Sequence, residues 1–165
     1  ALTESDLPAI AEEYEKLSKI LIERKKNGTS FNFFHFMIDL DQGPCAIKRL
    51  RGCSCGNEYV AVTPEGDIYP CHQFVGMDEW KMGSVLDDSI DHKMKKMFSK
   101  ANIYSKEECA DCWAKFYCSG GCAANSYNFH GNINDAYDIG CELQRKRIEC
   151  AIMLKAAEAA EASEE

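Results

Sequence analysis

The chain has 165 residues, a formal net charge of −8 and ten cysteines, with a pI near 5.1. That length predicts one domain with a modest core, and the acidic balance argues against a nucleic-acid or anionic-membrane surface. No apolar run approaches the roughly 20 residues that span a bilayer, so a soluble cytoplasmic domain is the expectation.

Residues 5–27 read as an amphipathic helix. Ser5 or Asp6 serves as its cap, and Pro8 sits early, where a missing N–H costs little. Leu7, Ile10, Ala11, Tyr14, Leu17, Ile20 and Leu21 recur at helical spacing on one face. Lys25 and Lys26 fall in the last turn, and Asn27-Gly28 ends the helix.

Residues 31–40 are too apolar and aromatic for a solvated surface, and a buried strand or a short helix fits equally. His35 reads as a packed histidine rather than a ligand. Asp41 to Cys45 turns the chain, with Gly43-Pro44 as the break. A small-residue loop, Leu50 to Glu58, then carries Cys53 and Cys55. It feeds a hairpin whose strands are Tyr59–Thr63 and Ile68-Tyr69, joined by the turn Pro64-Glu65-Gly66-Asp67. The hairpin holds Cys71 at the exit of its second strand, opposite the cysteines that precede the first.

Between residues 74 and 108 the pattern predicts mixed turns and one helix over 88–99. Its methionines read as core filler, and Lys93, Lys95, Lys96 and Lys100 as a solvated face. His72 reads either as a hydrogen-bonding neighbour of a metal group or as an ordinary buried histidine. Residues 123–127 continue helically, and His130-Gly131-Asn132 turns. A last helix runs from Cys141 to about 160, with Leu143, Cys150 and Leu154 on one stripe, which makes Cys150 packing.

The densest signal is the run Cys109-x2-Cys112-x5-Cys118-x3-Cys122, followed by Cys141 after eighteen residues. Thiolates this crowded repel one another and oxidise, and metal neutralises them. The pair Gly120-Gly121 allows a tight bend between the last two sulfurs. A zinc site favours two separated C-x2-C pairs, a form this run lacks. Iron–sulfur clusters take one tight run plus distant single cysteines, so cluster ligation is the first reading. Eight ligands would serve two four-iron clusters and leave two of the ten cysteines over. Zinc and a disulfide framework are the alternatives. The acidic opening Ala1 to Asp6, with no apolar segment, speaks against the secreted setting that disulfides require.

The order Cys53-x12-Gly66-x4-Cys71, then the run 109–122, then Cys141, resembles the seven-cysteine SPASM pattern of radical S-adenosylmethionine peptide-modifying enzymes. More narrowly, residues 43–50 and 57–76 are similar to maturases that form thioether cross-links in SCIFF peptides, which hold six cysteines in forty-five residues. The resemblance implies an α+β fold: a small β-hairpin plus helices around two 4Fe-4S clusters, with a long amphipathic helix at each end. It implies a nearer cluster on Cys53, Cys71 and Cys122 with Cys45 as fourth ligand, and a distal one on Cys109, Cys112, Cys118 and Cys141. Cys55 departs from the pattern, standing where a small non-ligand residue is common. It leaves the fourth position open between Cys45, Cys55 and an iron free to take a substrate thiolate.

By the same resemblance residues 43–145 form the cluster domain. Residues 1–42 are the end of, or linker from, a radical SAM barrel, and 146–165 a C-terminal helix and tail. No cysteine triple here has the C-x3-C-x2-C spacing of the S-adenosylmethionine cluster: Cys118 and Cys122 are followed by Asn125. S-adenosylmethionine and a third cluster are therefore expected only in a longer enzyme, and this chain is not expected to be catalytic alone. Its expected partners are that barrel and a Cys-rich precursor peptide, with no nucleic acid and no membrane. The competing class is a structural zinc module or a stand-alone ferredoxin-like electron carrier.

Overall fold

The computed structural model describes residues 2–40 and 45–163. Among them seven α-helices follow one another: α1 (Leu7–Lys26), α2 (Ala46–Arg49), α3 (His92–Lys100), α4 (Glu107–Ala110), α5 (Lys115–Cys118), α6 (Ala123–His130) and α7 (Asp138–Ala162). Four short strands, β1 (Ala61–Val62), β2 (Asp67–Tyr69), β3 (Gly83–Ser84) and β4 (Ser89–Ile90), pair antiparallel in that order. This is the expected α+β class, with long helices near both ends. The chain divides into two units, Ala1–Pro44 with Asp138–Glu165, and Cys45–Tyr137.

In the first unit α1 and α7 pack along one another in parallel, since Glu15 meets Lys146 at 2.5 Å and Lys25 meets Glu158 at 2.5 Å. Leu21, Phe36 and Cys150 form its core, with Tyr14, Leu17, Phe33 and Leu154 against them. Cys150 is thus a packing residue, 2% exposed. The helix start differs from the expectation. Asp6 gives α1 no side-chain cap; its carboxylate turns back to accept from the Thr3 amide at 2.8 Å, closing a 3-10 turn over Glu4–Asp6.

Residues 31–40 also differ: apart from a 3-10 turn at Phe34–Phe36 they are irregular. Phe36 is buried, but Phe34 is 80% and Met37 66% exposed. The segment is too short to turn every aromatic ring inward, so Phe33 and Phe36 pack around Tyr14 while Phe34 and Met37 face out. His35 is half-buried and shares a 2.7 Å hydrogen bond with the Tyr14 hydroxyl. Burial and the nearby Arg147 charge hold it below the ordinary imidazole range. The turn expected at Asp41–Pro44 lies outside the described residues.

The second unit is built on the hairpin. Its register sets Ala61 opposite Tyr69 and Val62 opposite Ile68. The turn closes with Gly66 N–H on the Thr63 carbonyl at 2.9 Å, Gly66 taking φ +89° as the sequence requires. Two further strands extend the sheet, β3 where turns were expected and β4 within the span expected to be helical, so the helix expected over 88–99 starts at His92. Asp91 caps it, accepting from the amides of Lys93 at 2.7 Å and Met94 at 3.0 Å. Beneath the sheet Phe74, Trp80 and Phe98 pack with ring centres 4.9–5.8 Å apart, joined by Cys55, Cys71, Ala124 and Ile133.

Gly56 ties the cysteine loop to this core. Its N–H lies 2.8 Å from the Tyr59 carbonyl and 2.9 Å from that of Pro70, its φ is +70°, and a Cβ there would sit 2.5 Å from the Phe98 ring. Gly28 shares the positive φ but has open space around it. Gly56→Ala is therefore expected to destabilise by about 2–4 kcal/mol, from overpacking added to backbone strain. Gly28→Ala should cost only about 1 kcal/mol. Urea midpoints of the two variants check this, and equal midpoints would contradict the packing around Phe98.

Candidate metal centre

Two sets of thiols emerge in the second unit. Cys53 and Cys55 flank Ser54, which takes the left-handed φ of 54° and so throws both sulfurs to one side of the loop. Cys71 leaves β2 in extended backbone and opens the 3-10 turn His72–Phe74. Cys122 opens α6. Burial raises the Cys71 thiol, and the fields of Cys122 and Cys53 raise it further. Its sulfur accepts the amides of Gln73 and Phe74, which oppose that rise. The Gln73 side-chain amide donates to Cys122 Sγ at 3.6 Å. Cys55 is buried and is pushed far up by its hydrogen bond with Cys53, then by burial and by Cys53, Cys71 and Cys122. Cys53 takes the opposite part: the bond from Cys55 lowers it to about 6.

The second set is Cys109 on α4, Cys112 in the following turn and Cys118 at the end of α5. Burial raises Cys109 first, then Cys118 and Cys112, while Lys106 opposes. Burial likewise raises Cys118, against hydrogen bonds from the amides of Gly121 and Gly120 and the charge of Lys106. Between Cys118 and Cys122 the backbone is left-handed three times running, at Ser119, Gly120 and Gly121, with φ of 60°, 87° and 71°.

The structure thus brings Cys53, Cys71 and Cys122 together, and separately Cys109, Cys112 and Cys118. Cys55 joins the first set. Cys45 is exposed just before α2, with no polar partner for its sulfur among the described residues. Cys141 lies half-buried on α7, in the unit formed by the chain ends. His72 is exposed beside Cys53 rather than buried. Lys106 and Gln73 are functional neighbours that sequence reasoning missed; nothing in their local pattern sets them apart from surface residues.

Both sets are sulfur only, and both receive amide hydrogen bonds. Those donors stabilise negative charge on cluster ligands and tune it. Among the described residues no three His, Cys, Asp or Glu side chains close tightly enough on one another to hold a single metal ion. Soft donors in hydrogen-bonded, half-buried groups fit a cluster of several irons.

Residues 53–113 match the model of the SPASM family, an iron–sulfur cluster-binding domain. That matched stretch includes Cys53, Cys55, Cys71, Cys109 and Cys112. An "Uncharacterized protein" of Archaeoglobus fulgidus is 33% identical over 84 residues, 49% of this chain and 20% of that protein. Two solved structures share the fold. Hexahistidine-tagged anSMEcpe with bound AdoMet superposes with a TM-score of 0.59 at 19% identity, over 90% of this chain and 40% of that one. Native anSMEcpe with bound AdoMet and Kp18Cys peptide gives 0.51 at 20% identity, over 96% and 44%. The chain therefore spans about two fifths of these structures and a fifth of the curated relative. Among the described residues no helix is long and apolar enough to cross a membrane.

The Cys53–Cys55 pair makes a prediction for the iron-free chain. The folded pKa of Cys53 is depressed, so its contribution to stability is present above the unfolded thiol range and is lost as pH falls through about 6. Alkylation of Cys53, followed by peptide mass spectrometry, should rise through pH 6 and level off above it. Cys55→Ala, which removes the largest cause, should move that rise toward the ordinary thiol range. An unmoved profile would show that the pair does not share a proton.

Proposed function

We propose that this chain is the auxiliary-cluster domain of a radical S-adenosylmethionine enzyme that forms thioether cross-links from cysteines of a ribosomally made peptide. The observation that carries the reading is the division of the clustered cysteines into two sulfur sets, in a chain whose residues 53–113 match the SPASM model. Each set holds one 4Fe-4S cluster. The nearer uses Cys53, Cys71 and Cys122, and the distal one Cys109, Cys112 and Cys118, with Cys141 as fourth ligand on the resemblance alone. For the nearer fourth position the resemblance offers Cys45, while burial among the other three sulfurs favours Cys55.

Bound clusters supply one-electron transfer and soft iron for a substrate thiolate. The chain's own part is to hold the sulfurs, to direct the Gln73, Phe74, Gly120 and Gly121 amides at them, and to bury them. S-adenosylmethionine and a third cluster belong to a barrel outside these residues, in keeping with a cluster domain over 43–145 flanked by 1–42 and 146–165. The AdoMet and the Kp18Cys peptide bound by anSMEcpe support a radical and peptide chemistry for that larger enzyme. The resemblance of residues 43–50 and 57–76 supports the thioether outcome.

Anaerobic reconstitution should load about eight irons and about eight sulfides, four of each per cluster. One or two zincs without sulfide would end the cluster reading in favour of a zinc module. Cys118→Ala and Cys122→Ala should each retain well under half the iron, because both sulfurs hang on one short link. Two variants that each keep one intact, stable cluster would show independent sites. Cys150→Ala should leave iron unchanged, since its side chain packs with Leu21 and Phe36. Of Cys45→Ala and Cys55→Ala, the second should lose more iron; the reverse result would return the fourth position to Cys45.

A further inference from the structure

Lys106 is the most deeply buried charged side chain of the second unit, 4% exposed. Its Nζ lies 3.0 Å from the Gly120 carbonyl, 3.2 Å from Ser126 Oγ and 3.4 Å from the Asp135 carbonyl. The Ser126 hydroxyl spends its own proton on the Cys122 carbonyl at 3.0 Å, so toward Lys106 it accepts. Three acceptors therefore surround Nζ, and an ammonium is the form of lysine with three N–H donors.

None of the three acceptors is an anion. Among the described residues no carboxylate forms an ion pair with Lys106, and the Asp135 carboxylate is instead taken by the Asn132 side-chain amide at 3.0 Å. A buried ammonium left without a counter-charge is costly. The groups within reach of its field that would become anionic on taking up metal are the sulfurs of Cys109 and Cys118. On its other side it lines, with Cys53, Cys55, Ser119 and Gly120, a cavity of about 40 Å³. Lys106 thus stands at the junction of the two sulfur sets and grips the link that joins them.

We propose that Lys106 is a positioning residue: its ammonium is the built-in counter-charge of the centre on Cys109, Cys112 and Cys118, and it raises the reduction potential there. The assignment rests on the reading that these sulfurs hold an iron–sulfur cluster. Reduction adds one negative charge to a Cys-ligated cluster, and a fixed cation in a low-dielectric setting favours the reduced form. The hydrogen bond to the Gly120 carbonyl also fixes the backbone whose amides on either side of it, Gly120 and Gly121, point at Cys118, so the same residue sets both charge and geometry.

The test is an EPR-monitored redox titration of the anaerobically reconstituted chain beside K106Q, K106M and K106R, with iron and sulfide counted in each. K106Q keeps two donors without the charge, K106M fills the space with neither, and K106R keeps the charge. At fixed solution potential the reduced-to-oxidised ratio of one cluster should fall about tenfold in K106Q and K106M, equal to about 59 mV for a one-electron couple. In K106R it should stay within about threefold. Ratios within about twofold of wild type in K106Q and K106M, with clusters present, overturn the role of Lys106 and leave the cluster reading standing. A wild-type chain without iron and sulfide overturns the cluster reading itself. Should K106Q and K106M come out without iron, full loading of K106R shows that the charge is what is needed, whereas an empty K106R shows mere packing and overturns the proposal.

Discussion

Three consecutive left-handed residues, Ser119, Gly120 and Gly121, are the constraint on which the cysteine-bearing unit depends. Had α5 run on as a regular helix, Cys118 and Cys122 would lie one turn apart on the same face and their thiolates would compete for one site. The left-handed link reverses the chain, so Cys118 ends one helix and Cys122 begins the next. The same reversal turns the amides of Gly120 and Gly121 onto Cys118 and the Gly120 carbonyl onto Lys106. Glycine adopts such φ values freely, but Ser119 does not, and strain of about 1–3 kcal/mol is typical of that conformation. Its burial in the loop holds it there.

With Cys122 set at the start of α6, the rest of the unit is arranged to meet it. β2 must deliver Cys71 to the start of α6, and Gln73, just beyond Cys71, bridges the two by directing its backbone amide at Cys71 and its side-chain amide at Cys122. The Cys53–Cys55 loop closes the same set, anchored by Gly56 between the carbonyls of Tyr59 and Pro70. Phe98 fills the space against Gly56, and through Phe74 and Trp80 this ring cluster joins α3 to the sheet. The sulfurs are held by the aromatic core as much as by their own loops. That explains why a glycine beside the cysteine loop is as tightly constrained as the cysteines.

Much of this was legible in the residues, and what was not has physical causes. The hairpin turn was readable because Pro64 and Gly66 each have one conformational reason to be there. Cys150 was readable as packing because a helix stripe is periodic. The strands β3 and β4 carry two residues each, too few for any period to show. Residues 31–40 misled because apolar composition says nothing about how many rings a short segment has room to bury. Lys106 was missed because its burial is decided by chain brought in from elsewhere, Ser126 and Asp135; Cys55, one of the residues left open for the fourth position, is likewise surrounded by Cys71 and Cys122 from distant sequence. Sequence spacing finds the sulfurs but not the cation that the fold brings beside Cys109 and Cys118.

The thiols themselves show how the unit balances burial against charge. Cys71, Cys109 and Cys118 are all raised, each mainly by burial, so in the metal-free chain they hold their protons at neutral pH. A metal group that takes these sulfurs has to displace those protons, which carries the pH dependence of its binding to higher pH than for exposed cysteines. The opposing influences are already built in: amides at Cys71 and Cys118, and Lys106 beside Cys109 and Cys118. They are too weak to ionise the thiols alone, yet they are directed at the atoms that would become negative on binding the proposed metal group. On the cluster reading proposed above, the fold is prepared for the charged, loaded state rather than for the protonated one, and Lys106, which gains nothing from neutral thiols, belongs to that state.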